Sequence, residues 1–259
     1  MNIFQAVLLG IVEGLTEFLP ISSTFHLIFA SKLFGVTQND FLQLFEVFIQ
    51  GGAIIAVLFL YGRELLKNRD LMKKIAVSFV PTAVIGLALY KVIKTIFFHS
   101  NNLMIGVFVA MGVVFLAMEW LIKRDKLKLD KTVKNLTYTE AFLIGVIQSL
   151  AVIPGVSRAG AVMVGFMFMK FRRDEAAKYS FMLAVPTILA ASGYDLFKMR
   201  SVLSGNANNF VLLAVGTVAA FVSAYFVIRW FIDFLKKRTL TIFAFYRFII
   251  AIILVAFGL

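Results

Sequence analysis

The apolar residues of this chain come in runs of about 20, the length of helix that crosses the hydrocarbon core of a bilayer. The runs fall near 41–61, 75–97, 103–122, 176–196, 208–229 and 240–258. Of the 259 residues, 61% are hydrophobic and 15% charged, and the mean hydropathy is +0.93. A soluble domain of this length is far more polar. The reading is an all-α polytopic membrane protein that forms a single membrane domain over 1–259.

The opening "MNIFQAVLLGIVEG" has no basic stretch, and an acid interrupts its apolar run, so it does not read as a cleavable signal peptide. Cysteine is absent, which excludes disulfides, a thiolate nucleophile and cysteine–metal sites. The net charge of +12 does not point to nucleic acid. In a membrane chain, basic excess marks cytoplasmic loops and contact with anionic membrane lipids.

The two halves of the chain resemble each other. "QAVLLGIVEGL" (5–15) aligns with "EAFLIGVIQSL" (140–150) at an offset of 135, with Ala6/Ala141, Leu8/Leu143, Gly10/Gly145 and Leu15/Leu150 identical. Pro20 aligns with Pro154 and Ser23 with Ser157 at an offset of 134, and "TAVIGLALYKVIK" (82–94) with "TVAAFVSAYFVIR" (217–229) at 135 again. Three matched blocks at nearly one offset argue for duplication, with repeats at approximately 1–124 and 135–259. Each half reads as a proline-broken, re-entrant helix pair followed by three transmembrane helices.

Positive charge tests this layout. The connections 62–74, 123–137, 170–178 and 229–238 hold five, six, four and four Lys/Arg, whereas 31–40, 98–102 and 197–207 hold one, none and two. If each broken segment returns to its own side, the four basic connections share one face, which is cytoplasmic. Both termini then lie outside, and the halves run in opposite directions. Inverted repeats of this kind build sites near the midplane from broken helices.

The broken segments carry the chemistry. Ionisable groups at membrane depth are costly and functional by default. Glu13 and Glu17, four residues apart, share one helix face. Pro20 interrupts the helix, and Ser22, Ser23 and Thr24 are suited to cap a restart that aims N–H groups at an anion. The second segment, "VIPGVSRAG" (152–160), breaks at Pro154–Gly155 and continues into Ser157 and Arg158, whose register counterpart is Thr24. Arginine matches phosphate oxygens with paired N–H bonds. Two re-entrant hairpins bring Glu13, Glu17, Ser23, His26 and Arg158 together, with Ser22, Thr24, Ser157 and Gln50 as further substrate-binding candidates.

Plainer readings stand beside these. The glutamates and Arg158 also read as a structural ion pair, His26 as a satisfied hydrogen-bonding residue, and the hydroxyls as caps. Gly10, Gly14, Gly51, Gly52 and Gly145 read as helix-packing contacts. Glu46 and Gln50, one turn apart, either face the cavity or bridge helices. Arg247 in "FYRFII" either meets a lipid phosphate or pairs with an acid.

"EGLTEFLPISST" followed by His26, and "PGVSR" followed by Gly160, resemble the two signature motifs of the undecaprenyl-diphosphate phosphatases of the bacitracin-resistance type. The likeness extends through "FEVFIQGGAIIAV" (45–57) and "FAFYRFIIA" (243–251). It implies an integral membrane phosphatase that hydrolyses undecaprenyl diphosphate to undecaprenyl phosphate and inorganic phosphate, recycling the lipid carrier of cell-wall synthesis. It further implies residence in the plasma membrane with the active site open to the outer face. The family's glutamates map onto Glu13 and Glu17, its serine onto Ser23, its histidine onto His26 and its phosphate-binding arginine onto Arg158. A divalent cation, Mg²⁺ or Ca²⁺, is implied at Glu13 and Glu17, and a homodimer is compatible with the reading. The chain departs from the family pattern at Phe25, where glycine is usual, and at Ala159, where serine is usual. Phe25 either crowds the substrate or turns outward as packing.

For the chemistry, Glu17 acts as base or orients His26, and the nucleophile is Ser23, His26 or water. The rival reading is a transporter or flippase for a polyprenyl phosphate or small anion on the same inverted repeat. It has less use for two glutamates and a histidine beside the arginine.

Overall fold

The computed structural model describes residues 1–96, 101–199 and 207–257; most of the connections at 98–102 and 197–207 and the end of the last expected span fall outside them. The described residues are helical, and their one β feature is an isolated bridge between Lys131 and Phe171. The helices are α1 (Ile3–Thr16), α2 (Ser23–Leu33), α3 (Asp40–Lys67), α4 (Arg69–Ile96), α5 (Asn101–Lys123), α6 (Tyr138–Ser149), α7 (Arg158–Phe168), α8 (Arg173–Lys198), α9 (Ala207–Leu235) and α10 (Thr241–Ala256).

Local signals set several of the starts. Asn2 and Gln5 form a reciprocal capping box at α1, Thr137 and Glu140 form one at α6, and the Asn39 side chain accepts from Leu42 N at α3. Five helices, α3, α4, α5, α8 and α9, are long and apolar enough to cross a membrane. The sixth expected span, 240–258, is a helix of 16 residues, about 24 Å long. Only 33–44% of each spanning window is buried. The remainder exposes side chains such as Phe59, Val84, Leu87, Val218 and Phe226. Apolar surface on that scale belongs against lipid.

The four short helices, of 14, 11, 12 and 11 residues, pack against the long ones. Helix α1 lies on α9, α6 on α4, α3 on α8 and α9, and α5 on α10. Glycine sets the close crossings. A Cβ on Gly10 would lie 2.3 Å from Gly216 O, one on Gly52 2.2 Å from Thr217 O, and one on Gly145 2.1 Å from Ser78 O. Gly14 is similarly pressed on Ala220 O, at 2.3 Å. Gly51 departs from the packing expectation: no atom lies within 4 Å of its would-be Cβ, because one residue's turn of about 100° along α3 takes it off the contact that Gly52 makes with α9.

Hydroxyls pin the α4–α6 crossing. Ser78 Oγ donates to Ala141 O at 2.6 Å and Thr82 Oγ1 to Gly145 O at 2.9 Å. At the basic end, Glu119 of α5 receives both Arg173 of α8 and the backbone N–H of Leu240 before α10. Pro20 and Pro154 lie in the two breaks, whereas Pro81 and Pro186 sit inside continuous α4 and α8.

Candidate active site

Two interruptions meet at one cavity. The chain leaves α1 at Glu17 and restarts as α2 at Ser23; it leaves α6 through a 3₁₀ turn at Leu150–Val152 and restarts as α7 at Arg158. The residues before the restarts, Ser22 and Ser157, have φ/ψ of 69°/92° and 68°/116°, a region side chains rarely adopt. Both helices run 11 residues and are followed by a second positive-φ residue, Gly35 (65°) and Lys170 (72°).

Ser22 and Ser157 hold the same backbone turn, and Ser23 and Arg158 each open the helix that follows, so the two turns lie 135 residues apart whereas the two prolines lie 134 apart. The capping expectation is revised. Ser157 Oγ accepts from Gly160 N at 3.2 Å, but Ser22 makes no side-chain cap, and Ser23 and Thr24 lie within the helix.

Between the restarts lies a short polar chain. Ser23 Oγ donates to Glu17 Oε2 in a short hydrogen bond, and Arg158 Nη2 donates to Glu17 Oε1 at 2.9 Å. Arg158 Nη1 donates to Ser180 O of α8 at 2.8 Å, and its Nε has no partner. The arginine and glutamate side chains are only 10% and 7% exposed. A paired charge so enclosed is held firmly, since removing either member strands the other.

The cavity beside them measures about 250 Å³ and is lined by Glu17, Ser22, Ser23, Thr24, Gln50, Ser157 and Arg158 among others. Pockets that hold drug-sized ligands measure roughly 300–1,000 Å³, so this smaller space suits a phosphorylated headgroup, and any long tail must lie outside it. Val152, Ile153, Ile188 and Ala191 form an apolar part of the lining.

Two expected members stand apart. His26 does not line the cavity: its Nδ1 meets Ser22 O at 2.8 Å and its Nε2 meets Tyr246 OH at 2.7 Å, with the rings stacked. Glu17 therefore does not orient His26; the histidine faces α10, while the turn at Ser22 aims Ser23 back at Glu17. Glu13 is fully buried behind Glu17, and both its oxygens lack a hydrogen-bond partner. Of the pair on α3, Gln50 reaches the cavity and Glu46 does not.

Glu13 bears on the implied cation. Hard divalent ions take oxygen ligands, and two unpartnered carboxylate oxygens fit that chemistry, whereas both oxygens of Glu17 are engaged. Among the described residues, no three acidic or histidine side chains gather at one point. A cation there would complete its shell from substrate oxygens and water, as Mg²⁺ commonly does.

Phe25 is 1% exposed and stacks on Phe108 with centroids 4.0 Å apart, so it packs toward α5 and away from the cavity. Ala159 is fully buried.

Several lining residues escape the sequence reading. Gln148, which aligns with Glu13 at the offset of 135, donates through Nε2 to Thr82 Oγ1 at 2.9 Å and Thr187 Oγ1 at 3.2 Å. A signal for this exists: Val-Pro-Thr occurs at both 80–82 and 185–187, and both threonines line the cavity. Ser180 acts through its carbonyl, which no side-chain pattern reveals.

The chain matches the family described as "Bacitracin resistance protein BacA" over residues 6–253. It is 44% identical over 259 residues to an undecaprenyl-diphosphatase of Aquifex aeolicus, covering 100% of both chains. It is 44% identical over 256 residues to one of Wolinella succinogenes, covering 98% of this chain and 97% of that protein. A Campylobacter jejuni undecaprenyl-diphosphatase is 39% identical over 253 residues, covering 98% of this chain and 93% of its own. The sequence motifs, the all-helical membrane fold and these matches over nearly the whole length agree, and the chain belongs to the bacitracin resistance protein BacA family.

Proposed function

We infer that the protein is a membrane phosphatase that hydrolyses undecaprenyl diphosphate to undecaprenyl phosphate and inorganic phosphate. The observation that carries the chemistry is the hydrogen-bonded chain Ser23–Glu17–Arg158 on the wall of the cavity. A hydroxyl on a carboxylate that a third group orients is the arrangement of an activated nucleophile.

In this reading Ser23 Oγ attacks the terminal phosphorus while its proton passes to Glu17 Oε2. The bond from that phosphorus to the bridging oxygen breaks, and undecaprenyl phosphate leaves with the electron pair. Water then takes the phosphoryl group from Ser23, and Glu17 returns the proton to Ser23 Oγ as inorganic phosphate departs. Arg158 and the N-termini of α2 and α7 hold the phosphate oxygens. Ser22, Thr24, Ser157 and Gln50 offer further polar contacts. A divalent cation would be held chiefly by Glu13, since Ser23 and Arg158 already engage both oxygens of Glu17, and would neutralise charge on the diphosphate when bound. His26 holds the Ser22 carbonyl and thereby the restart.

The same reading makes the two halves an inverted repeat with the site open to the outer face of the plasma membrane. Supporting it, the restarts at Ser22 and Ser157 share their turn and helix length, and α1 packs on α9 as α6 packs on α4. The basic connections then share the cytoplasmic side.

Phosphate release from undecaprenyl diphosphate by the purified protein in detergent, with and without Mg²⁺ or Ca²⁺, tests this directly. Turnover in the wild type that falls at least ~100-fold in Ser23→Ala and Arg158→Ala is the expected outcome. Full turnover in Ser23→Ala removes Ser23 as nucleophile. Arg158-dependent lipid binding without turnover in the wild type favours a carrier. Glu13→Gln should abolish stimulation by the cation, and undiminished stimulation removes Glu13 from its shell.

A further inference from the structure

Among the described residues, Arg247 is the largest side chain that is fully buried. Neither sequence reading of it holds: it is 0% exposed, so no lipid phosphate reaches it, and among the described residues it forms no ion pair. Its partners are all backbone carbonyls. Nε donates to Pro20 O at 3.0 Å, Nη1 to Phe108 O at 3.1 Å and Gly155 O at 2.9 Å, and Nη2 to Val156 O at 3.3 Å. The guanidinium also lies over the rings of Phe108 and Phe115, 4.5 and 5.2 Å from their centroids.

Three of these carbonyls belong to the interruptions, and the fourth, Phe108 O, lies within α5. Pro20 lies between Glu17 and Ser23, while Gly155 and Val156 immediately precede Ser157 and Arg158. Carbonyls in a break have no helical partner, and at membrane depth water does not replace one. A guanidinium offers five donors in a rigid plane and stacks on aromatic faces, so a single side chain from α10 reaches both breaks at once.

We propose that Arg247 is a positioning residue for the phosphatase reaction: by clamping the backbone of both breaks to one plane, it sets the placement of Ser23 and Glu17 against Arg158. The proposal rests on the catalytic reading of that chain. Arg158 keeps its own bond to Ser180 of α8 when Arg247 is lost, so the anion-binding guanidinium stays in place while Ser23 and Glu17 shift against it. Substrate binding therefore survives, and the geometry of attack does not. Misplacement by about 1 Å at a reacting centre is worth roughly 100-fold in rate.

The test uses Arg247→Met and Arg247→Lys in the full chain, taking the monodisperse fraction in detergent. For Arg247→Met, kcat should fall about 100-fold with KM within about threefold. Arg247→Lys retains the charge but not the fork, and should recover part of the rate; it is the variant read if Arg247→Met does not fold. A proximity readout runs beside it. A Cβ on Gly160 would lie 3.5 Å from Pro20 Cβ, within the ~3.5–4.5 Å span of a disulfide, and the chain has no cysteine of its own. Oxidative crosslinking of the pair Pro20→Cys and Gly160→Cys should slow several-fold when Arg247 is replaced. A folded variant with wild-type kcat and unchanged crosslinking overturns the proposal. If the wild type itself releases no phosphate, the phosphatase reading fails separately, and the crosslinking rate alone decides whether Arg247 joins the breaks.

Discussion

Ser22 and Ser157 hold positive-φ conformations that glycine adopts more readily, at a cost of about 1–3 kcal/mol each for a residue with a side chain. Ser22 has no capping bond to offset this, so substitution separates strain from chemistry. Ser22→Gly and Ser22→Ala should lower turnover alike if the hydroxyl binds phosphate. Only the glycine variant should raise the thermal midpoint, by about 1 kcal/mol in stability relative to alanine. Thermal scans beside phosphate release check both halves of the statement. The Glu17–Arg158 pair behaves differently. Arg158→Met leaves Glu17 buried without its cation and should destabilise the protein by roughly 3–5 kcal/mol. Combining it with Glu17→Gln should restore most of that stability and none of the activity. A double variant as unstable as the single one would show that Glu17 is not the stranded charge.

Among the elements, the short helices depend on close backbone approach. A Cβ on Gly145 would sit 2.1 Å from Ser78 O, so Gly145→Ala must push α6 off α4 and break the hydroxyl bonds from Ser78 and Thr82. A loss of about 1–3 kcal/mol in thermal unfolding is expected. Gly51→Ala meets nothing within 4 Å and should be neutral or stabilising by up to ~1 kcal/mol, since alanine favours the helix. Equal effects at the two glycines would mean that helix propensity, not crossing distance, governs them. The cavity is built from two restarts and from the Val-Pro-Thr segments inside α4 and α8, whose threonines both meet Gln148.

For the whole molecule, the absence of cysteine makes orientation directly measurable. Lys32 and Lys128 are exposed, one in the weakly basic connection 31–40 and the other in the strongly basic connection 123–137. In spheroplasts, an impermeant maleimide should label Lys32→Cys at once and Lys128→Cys only after permeabilisation. The reverse pattern would turn the molecule over and place the cavity toward the cytoplasm.

Much of this architecture is local information. Bilayer crossing follows from the length of apolar runs, and the sidedness expectation from counts of Lys and Arg. The duplication is an expectation raised by matched blocks such as 5–15 and 140–150. The apolar runs are a property of neighbouring residues, so the sequence by itself determined the membrane class, and it supplied the polar inventory of Glu13, Glu17, Ser23, His26 and Arg158. Which oxygen meets which donor was not local. Arg158 reaches Glu17 across 141 residues, His26 reaches Tyr246 across 220, and Arg247 reaches Pro20 across 227. Those partners depend on how the two breaks turn at Ser22 and Ser157 and on where α10 lies against them. Backbone carbonyls carry no sequence signature, which is why the clamp at Arg247 and the Ser180 contact were decided only by the tertiary structure.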